Sequence, residues 1–116
     1  MDIMFKSTRG DKNYVTASQA IVQGIANDGG LFVPETIPTI DFPLEKITEM
    51  SYQELAYEVL KLILTDYTEE ELKYCINSAY DEKFDTKLIA PLVSAGNGNF
   101  LELFHGKTIA FKDMAL

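Results

Sequence analysis

Cysteine is almost absent from this sequence. The single Cys75 cannot close a disulfide within the chain and cannot by itself build a structural zinc site, which excludes a disulfide scaffold and a zinc module. No metal site is expected, and within a helical pattern Cys75 reads as a small core residue. Basic residues are also scarce: 10 Lys and Arg stand against 18 Asp and Glu, a formal net charge of -8. Phosphate backbones and anionic membrane surfaces are bound by clustered cations, so neither nucleic acid nor a membrane is an expected partner. No apolar run approaches the roughly 20 residues that span a bilayer. The start, Met1-Asp2-Ile3-Met4-Phe5-Lys6, lacks the basic region and long apolar core of a signal peptide, so the expected location is cytoplasmic.

What is present is ordinary for a globular chain. With 47% hydrophobic and 24% charged residues over 116 positions, one compact core can form. No repeat, low-complexity tract or obvious interdomain linker interrupts it.

Ile3 to Ser7 alternates loosely and predicts a short strand, followed by the turn Thr8-Arg9-Gly10-Asp11 and a second short strand around Tyr14-Val15, together a hairpin. Thr16-Ala17-Ser18-Gln19 is a capping box, so a helix should begin there, with Ala17, Ala20, Ile21 and Ile25 on one face and Asn27-Asp28-Gly29-Gly30 stopping it. Leu31-Phe32-Val33 predicts a strand closed by Pro34. Pro34, Pro38 and Pro43 predict a loop as far as Met50, with room for one helical turn over Leu44 to Met50. Ser51-Tyr52-Gln53-Glu54 and Thr68-Glu69-Glu70-Glu71 repeat the capping box. Each precedes apolar residues at helical spacing, which predicts two antiparallel helices. Tyr80 to Lys87 reads as a loop or a fraying helical turn. Two apolar runs, 89–93 and 100–104, flank Gly96-Asn97-Gly98-Asn99 and predict a hairpin whose turn needs positive φ.

The end of the chain carries the chemical signal. The string Glu102-Leu103-Phe104-His105-Gly106-Lys107-Thr108-Ile109-Ala110-Phe111-Lys112-Asp113 resembles the pyridoxal-phosphate attachment motif of the serine/threonine dehydratase and threonine synthase superfamily. Ser7-Thr8-Arg9-Gly10 and Asp28-Gly29-Gly30-Leu31-Phe32-Val33-Pro34-Glu35 resemble the opening of threonine synthases, and Ser51-Tyr52-Gln53-Glu54-Leu55-Ala56 fits the same family. Lys107 stands where the family usually has proline, so the turn is less rigid. The extra cation could attract a phosphorylated substrate, disfavour protonation of Lys112, or be a solvated side chain.

The resemblance implies the α/β fold of type II pyridoxal-phosphate enzymes, represented here by a mixed N-terminal domain with a small sheet and about three main helices. Residues 1–88 would form that domain, and residues 89–116 the first elements of the catalytic domain. It also implies conversion of O-phospho-L-homoserine and water to L-threonine and phosphate, with pyridoxal phosphate as the electron sink. Lys112 would hold the cofactor as a Schiff base and then move protons on the substrate.

A lysine is ordinarily protonated at neutrality, so the site must favour its neutral form by desolvation or positive potential. A strand ending at Phe104, a turn at Gly106 and a helix beginning over Lys112 to Leu116 would supply a positive helix terminus. Phe111 would shield the amine from water. Thr108 and Asp113 could support it by hydrogen bonds or serve as cap or turn residues. His105 could act near the cofactor phosphate or be structural. Arg9 could pair with an anionic group of the substrate or lie in a surface turn.

Ser94-Ala95-Gly96-Asn97-Gly98 looks like the superfamily's substrate-carboxylate loop, but that loop follows the lysine. A hairpin turn explains these residues instead. The phosphate cradle, the group facing the pyridine nitrogen and the carboxylate loop would then belong to the rest of the polypeptide. The 116 residues alone are expected to be inactive, to hold the cofactor weakly, and to fray or self-associate through exposed Met114 and Leu116. Two other readings are a stand-alone binding domain and part of a lyase acting on another γ-phosphorylated amino acid.

Overall fold

The computed structural model describes residues 2–115. In chain order the elements are β1 (Phe5–Ser7), α1 (Ala17–Gln23), β2 (Phe32–Pro34), α2 (Tyr52–Leu60), α3 (Glu69–Ala79), β3 (Leu92–Ala95) and β4 (Gly98–Leu101). Two 3-10 turns, Leu44–Glu49 and Phe111–Met114, complete the regular structure. The expected mixed α/β fold is present, with two small antiparallel sheets, β1-β2 and β3-β4, in place of the one predicted. Among the described residues no helix is long and apolar enough to cross a membrane.

All three α-helices start where the capping boxes place them. The hydroxyls of Thr16, Ser51 and Thr68 each accept from the backbone N–H three residues on, and Gln19, Glu54 and Glu71 reach back to the cap N–H. Each box satisfies donors that the helix start leaves unpaired and is worth about 1 kcal/mol. Gly24, at φ 77, ends α1 earlier than the Asn27–Gly30 run predicted. Ala17 and Ala20 are buried as expected, but Ile21 and Ile25 are 59% and 61% exposed. Ile25 falls beyond the helix end, so helical spacing no longer governs where it points.

β1 pairs mainly with β2, in the register Phe5↔Pro34, Lys6↔Val33 and Ser7↔Phe32. The expected hairpin to Tyr14-Val15 shrinks to a single bridge between Phe5 and Val15, while β2 pairs along the other edge of β1. Phe5, Ala17 and Ala20 form the buried core beneath this sheet, with Ile3, Val15, Phe32, Ile63 and Leu64 packed around it. Two polar ties join the α2–α3 connection to this core. Ile3 N–H donates to Thr65 Oγ1 at 2.8 Å, and Ser18 gives Asp66 both its N–H (3.0 Å) and its hydroxyl (2.6 Å). Burial works against charge on Asp66, but the Ser18 bonds prevail and hold its carboxyl below the usual range.

The α2 and α3 helices run antiparallel. Gln53, near the start of α2, donates to the Tyr80 carbonyl at the end of α3, while Lys73 lies 5.0 Å from the Tyr57 ring centroid. Leu72 and Ile76 are buried against α2, whereas Cys75 is exposed, contrary to its expected place in the core.

Candidate functional site

The β3-β4 hairpin closes through a two-residue turn, Gly96-Asn97, between the paired Ala95 and Gly98. Gly96 sits at φ 60 and Asn97 does not adopt positive φ, the pattern of a II′ turn whose twist suits the flanking strands. Ser94 donates its hydroxyl to Asn99 Oδ1 at 2.7 Å across the strands. These residues therefore form a hairpin, as predicted. β4 ends at Leu101, so Phe104 lies past the strand rather than closing it. Glu102 N–H donates to the Pro91 carbonyl, and pairing stops there.

His105 follows, its side chain mostly buried and flanked by two carboxylates. Nδ1 lies 2.5 Å from Asp85 Oδ1 and Nε2 lies 2.7 Å from Glu102 Oε2. Bonds first to Glu102 and then to Asp85 raise its pKa above the usual imidazole value. Asp85 N–H also donates to the His105 carbonyl at 3.1 Å, and the Phe104 ring stacks on the imidazole with centroids 4.5 Å apart. Neither ring nitrogen is left for a phosphate oxygen in this arrangement.

The next eight residues form a self-closed loop. Asp113 accepts from Thr108 N–H at 2.8 Å and from the Thr108 hydroxyl at 2.7 Å. Its carboxyl lies over buried Gly106, where an added Cβ would come within 2.5 Å of it. Only glycine fits beneath that carboxylate. Ile109 N–H donates to the Gly106 carbonyl at 3.1 Å, which holds Ile109 at φ 62. For a β-branched residue this region is strained by about 1–3 kcal/mol.

Lys112 is the second residue of the 3-10 turn Phe111–Met114, which stands where a helix was expected. So short a turn lacks the aligned peptides of a helix dipole, so the expected positive terminus is not formed here. The Lys112 side chain is exposed, and among the described residues its ammonium makes no ion pair. Phe111, expected to cover it, is itself 68% exposed. Met114 is half-buried, and the Tyr80 hydroxyl donates to its carbonyl at 2.7 Å; Leu116 lies outside the described residues. Lys107 is exposed.

Tyr80 is the anchor that sequence reasoning missed. Its ring meets Tyr52 edge-on at 4.9 Å and Phe84 at 5.9 Å, so one side chain joins α2, α3 and the lysine turn. Burial, and after it the neighbouring Tyr80, pushes the Tyr52 phenol up to about 12. No local pattern marks Tyr80, Asp85 or Glu102. A groove between α2 and α3, lined by Tyr57, Glu58, Glu69 and Lys73, does not involve Lys112.

Arg9 belongs to a separate network. Its Nη1 donates to the Asp28 carbonyl at 3.3 Å, and its backbone N–H donates to Ser7 Oγ at 3.1 Å. Ser7, buried, donates to Asp28 Oδ1 at 2.6 Å, and Asp28 also accepts from the N–H groups of Gly30 and Asp11, both at 3.0 Å. These bonds, the Ser7 hydroxyl first, hold the Asp28 carboxyl below its usual range. A Cβ at Gly30 would stand 2.1 Å from Ser7 Oγ, so this position requires glycine. The two N-terminal motifs singled out in the sequence thus lock into each other. Among the described residues, no hydrogen bond of Arg9 reaches the Lys112 loop.

Comparison with known proteins places these features. The family profile described as "Threonine synthase N terminus" matches residues 4–80. Threonine synthase of Schizosaccharomyces pombe is 40% identical over 118 residues, an alignment covering 98% of this chain and 23% of that protein. The crystal structure of the yeast threonine synthase superposes with a TM-score of 0.87 at 35% identity, covering 98% of this chain and 24% of the other. A PLP-bound threonine synthase from Brucella melitensis gives 0.83 at 35% identity, covering 97% and 25%. The chain spans about a quarter of the length of the relatives it matches.

Proposed function

Because the chain belongs to the threonine synthase family, as its N-terminal portion, we propose that the full-length protein converts O-phospho-L-homoserine and water to L-threonine and phosphate. Lys112 is the residue that holds pyridoxal phosphate. The observation that carries this reading is the Lys112 amine itself: exposed, without an ion-pair partner among the described residues, in a turn whose backbone is fixed on both sides. An aldehyde cofactor needs such an uncommitted amine. Pyridoxal phosphate, when bound, supplies an electron sink for charge that develops beside the substrate's amino group.

The residues of this chain have two tasks. Asp113 and Thr108 hold the loop shape and so fix the backbone from which the Lys112 side chain extends. Lys112 Nζ would be the group that takes and returns protons at the substrate carbons as phosphate leaves Cγ and water adds at Cβ. Desolvation that favours the neutral amine, and the contacts to the cofactor's phosphate, fall to the remaining three-quarters or so of the length its relatives have. Arg9 is retained as a support of the Ser7–Asp28 network, with no substrate role assigned.

Borohydride reduction of the full-length protein with pyridoxal phosphate, followed by peptide mapping, tests the assignment. A pyridoxyl group on Lys112, and loss of threonine formation by on the order of 1,000-fold in Lys112→Ala, are expected. Attachment at a different lysine would overturn the cofactor assignment. Formation of 2-oxobutyrate in place of threonine from O-phospho-L-homoserine would overturn the synthase reading.

A further inference from the structure

We propose that His105 is a positioning residue for Lys112, acting as an imidazolium that ties the lysine-bearing loop to the connection after α3. The inference rests on the Lys112 reading above and adds the element that holds the loop in place. The two carboxylates come from different segments: Asp85 from the connection between α3 and β3, Glu102 from the residue just past β4. A ring nitrogen can donate to each carboxylate only when both carry protons, which is the imidazolium. A neutral ring has one N–H and one lone pair, so on deprotonation one of the two contacts turns from attraction to repulsion.

The tie reaches the lysine through contiguous contacts. His105 is bonded to Gly106; Gly106 is buried against the Asp113 carboxyl with no space for a Cβ; Asp113 adjoins Lys112. A shift of the imidazole therefore displaces Gly106 against Asp113 and moves the turn. The titratable groups facing the ring are Asp85 on one side and Glu102 on the other, and the stacked Phe104 is neutral. Two flanking anions would also repel a phosphate group, which separates this role from direct contact with cofactor or substrate phosphate.

The test uses full-length protein saturated with pyridoxal phosphate. His105→Gln, which keeps hydrogen-bonding capacity and loses the charge, should lower kcat roughly tenfold while KM for O-phospho-L-homoserine changes less than about twofold. In the unsubstituted protein kcat should fall on the alkaline side as His105 loses its proton, and Glu102→Gln, which removes one anion, should move that fall to lower pH. Labelled histidine resonances, with His105 assigned as the one missing in His105→Gln, should titrate together with this fall. An alkaline limb that stays in place in Glu102→Gln would overturn the proposal, since a merely structural histidine would leave it unmoved. Unchanged kcat in His105→Gln would overturn it as well. If His105→Gln does not fold, Asp85→Asn and Glu102→Gln each remove half of the tie and should each shift the limb. Borohydride trapping on Lys112 in each variant distinguishes the two readings: trapping with no pH shift sinks the role of His105 alone, and absence of trapping in the unsubstituted protein sinks the Lys112 assignment on which it rests.

Discussion

The segment from β1 to α3 and the segment from β3 to the Lys112 turn are held by different kinds of force. In the first, Phe5, Ala17 and Ala20 sit in a closed cluster with five further apolar side chains around it, and three capping boxes begin the helices. In the second, every residue of β3 and three of the four in β4 are exposed, and the chain is located by Tyr80 on Met114, Asp113 on Thr108, and Asp85 and Glu102 on His105. Burial of one large apolar side chain is worth about 1.5–3 kcal/mol, whereas an exposed hydrogen bond adds only about 1. The first segment therefore tolerates the loss of any one polar contact. The second depends on each of a few.

The sharpest way to break this contrast is to truncate one apolar side chain in each segment. Phe5→Ala should cost about 3–4 kcal/mol in denaturant unfolding, while Leu101→Ala, at a position 59% exposed, should cost less than about 0.5. A large loss at Leu101 in full-length protein would show that the rest of the polypeptide covers the hairpin. A smaller effect is expected from the polar contacts of the second segment. Double-mutant cycling of Thr108→Ala and Asp113→Ala should give a coupling of about 1 kcal/mol, accompanied by a loss of kcat. Coupling near zero would mean that the loop is held in another way.

The smallest expected effect lies in pH, and it has opposite signs in the two segments. Asp28 has its carboxyl held below the ordinary 3.8, so its contribution is complete above that value and is lost as pH falls through the depressed one. His105 is raised above 6.5, so its contribution is complete below that value and is lost as pH rises through the raised one. Hydrogen exchange, corrected for its intrinsic pH dependence, should report loosening of residues 7–11 and 28–31 at the acid end. Residues 102–113 should loosen at the alkaline end. Loosening of both segments at the same end would contradict the assignment of the two networks.

Several of these features were legible from the residues alone. The capping boxes at Thr16, Ser51 and Thr68 and the II′ turn at Gly96 are local, because each is complete within a few consecutive residues, so short sequence patterns place them correctly. Helical and strand spacing was less reliable, since it states which side chains share a face and not whether anything covers that face. Ile21, Ile25 and Cys75 satisfied the spacing and are exposed. Likewise Phe5 to Ser7 read as a strand, but its main partner is the distant Phe32–Pro34, and Val15 meets it at a single bridge.

The lysine site divides along the same line. The sequence by itself determined the chemistry on offer: a lysine in a string resembling a cofactor-attachment motif, a glycine that permits a turn before it, and an acidic chain poor in cysteine. Only the tertiary structure decided how that lysine is held, because Tyr80 and Met114, or Asp85 and His105, meet through the folding of separate segments. It also set His105 between the carboxylates of Asp85 and Glu102. A side chain's chemical capacity is fixed by its own atoms, whereas its partners are chosen by the path of the whole chain.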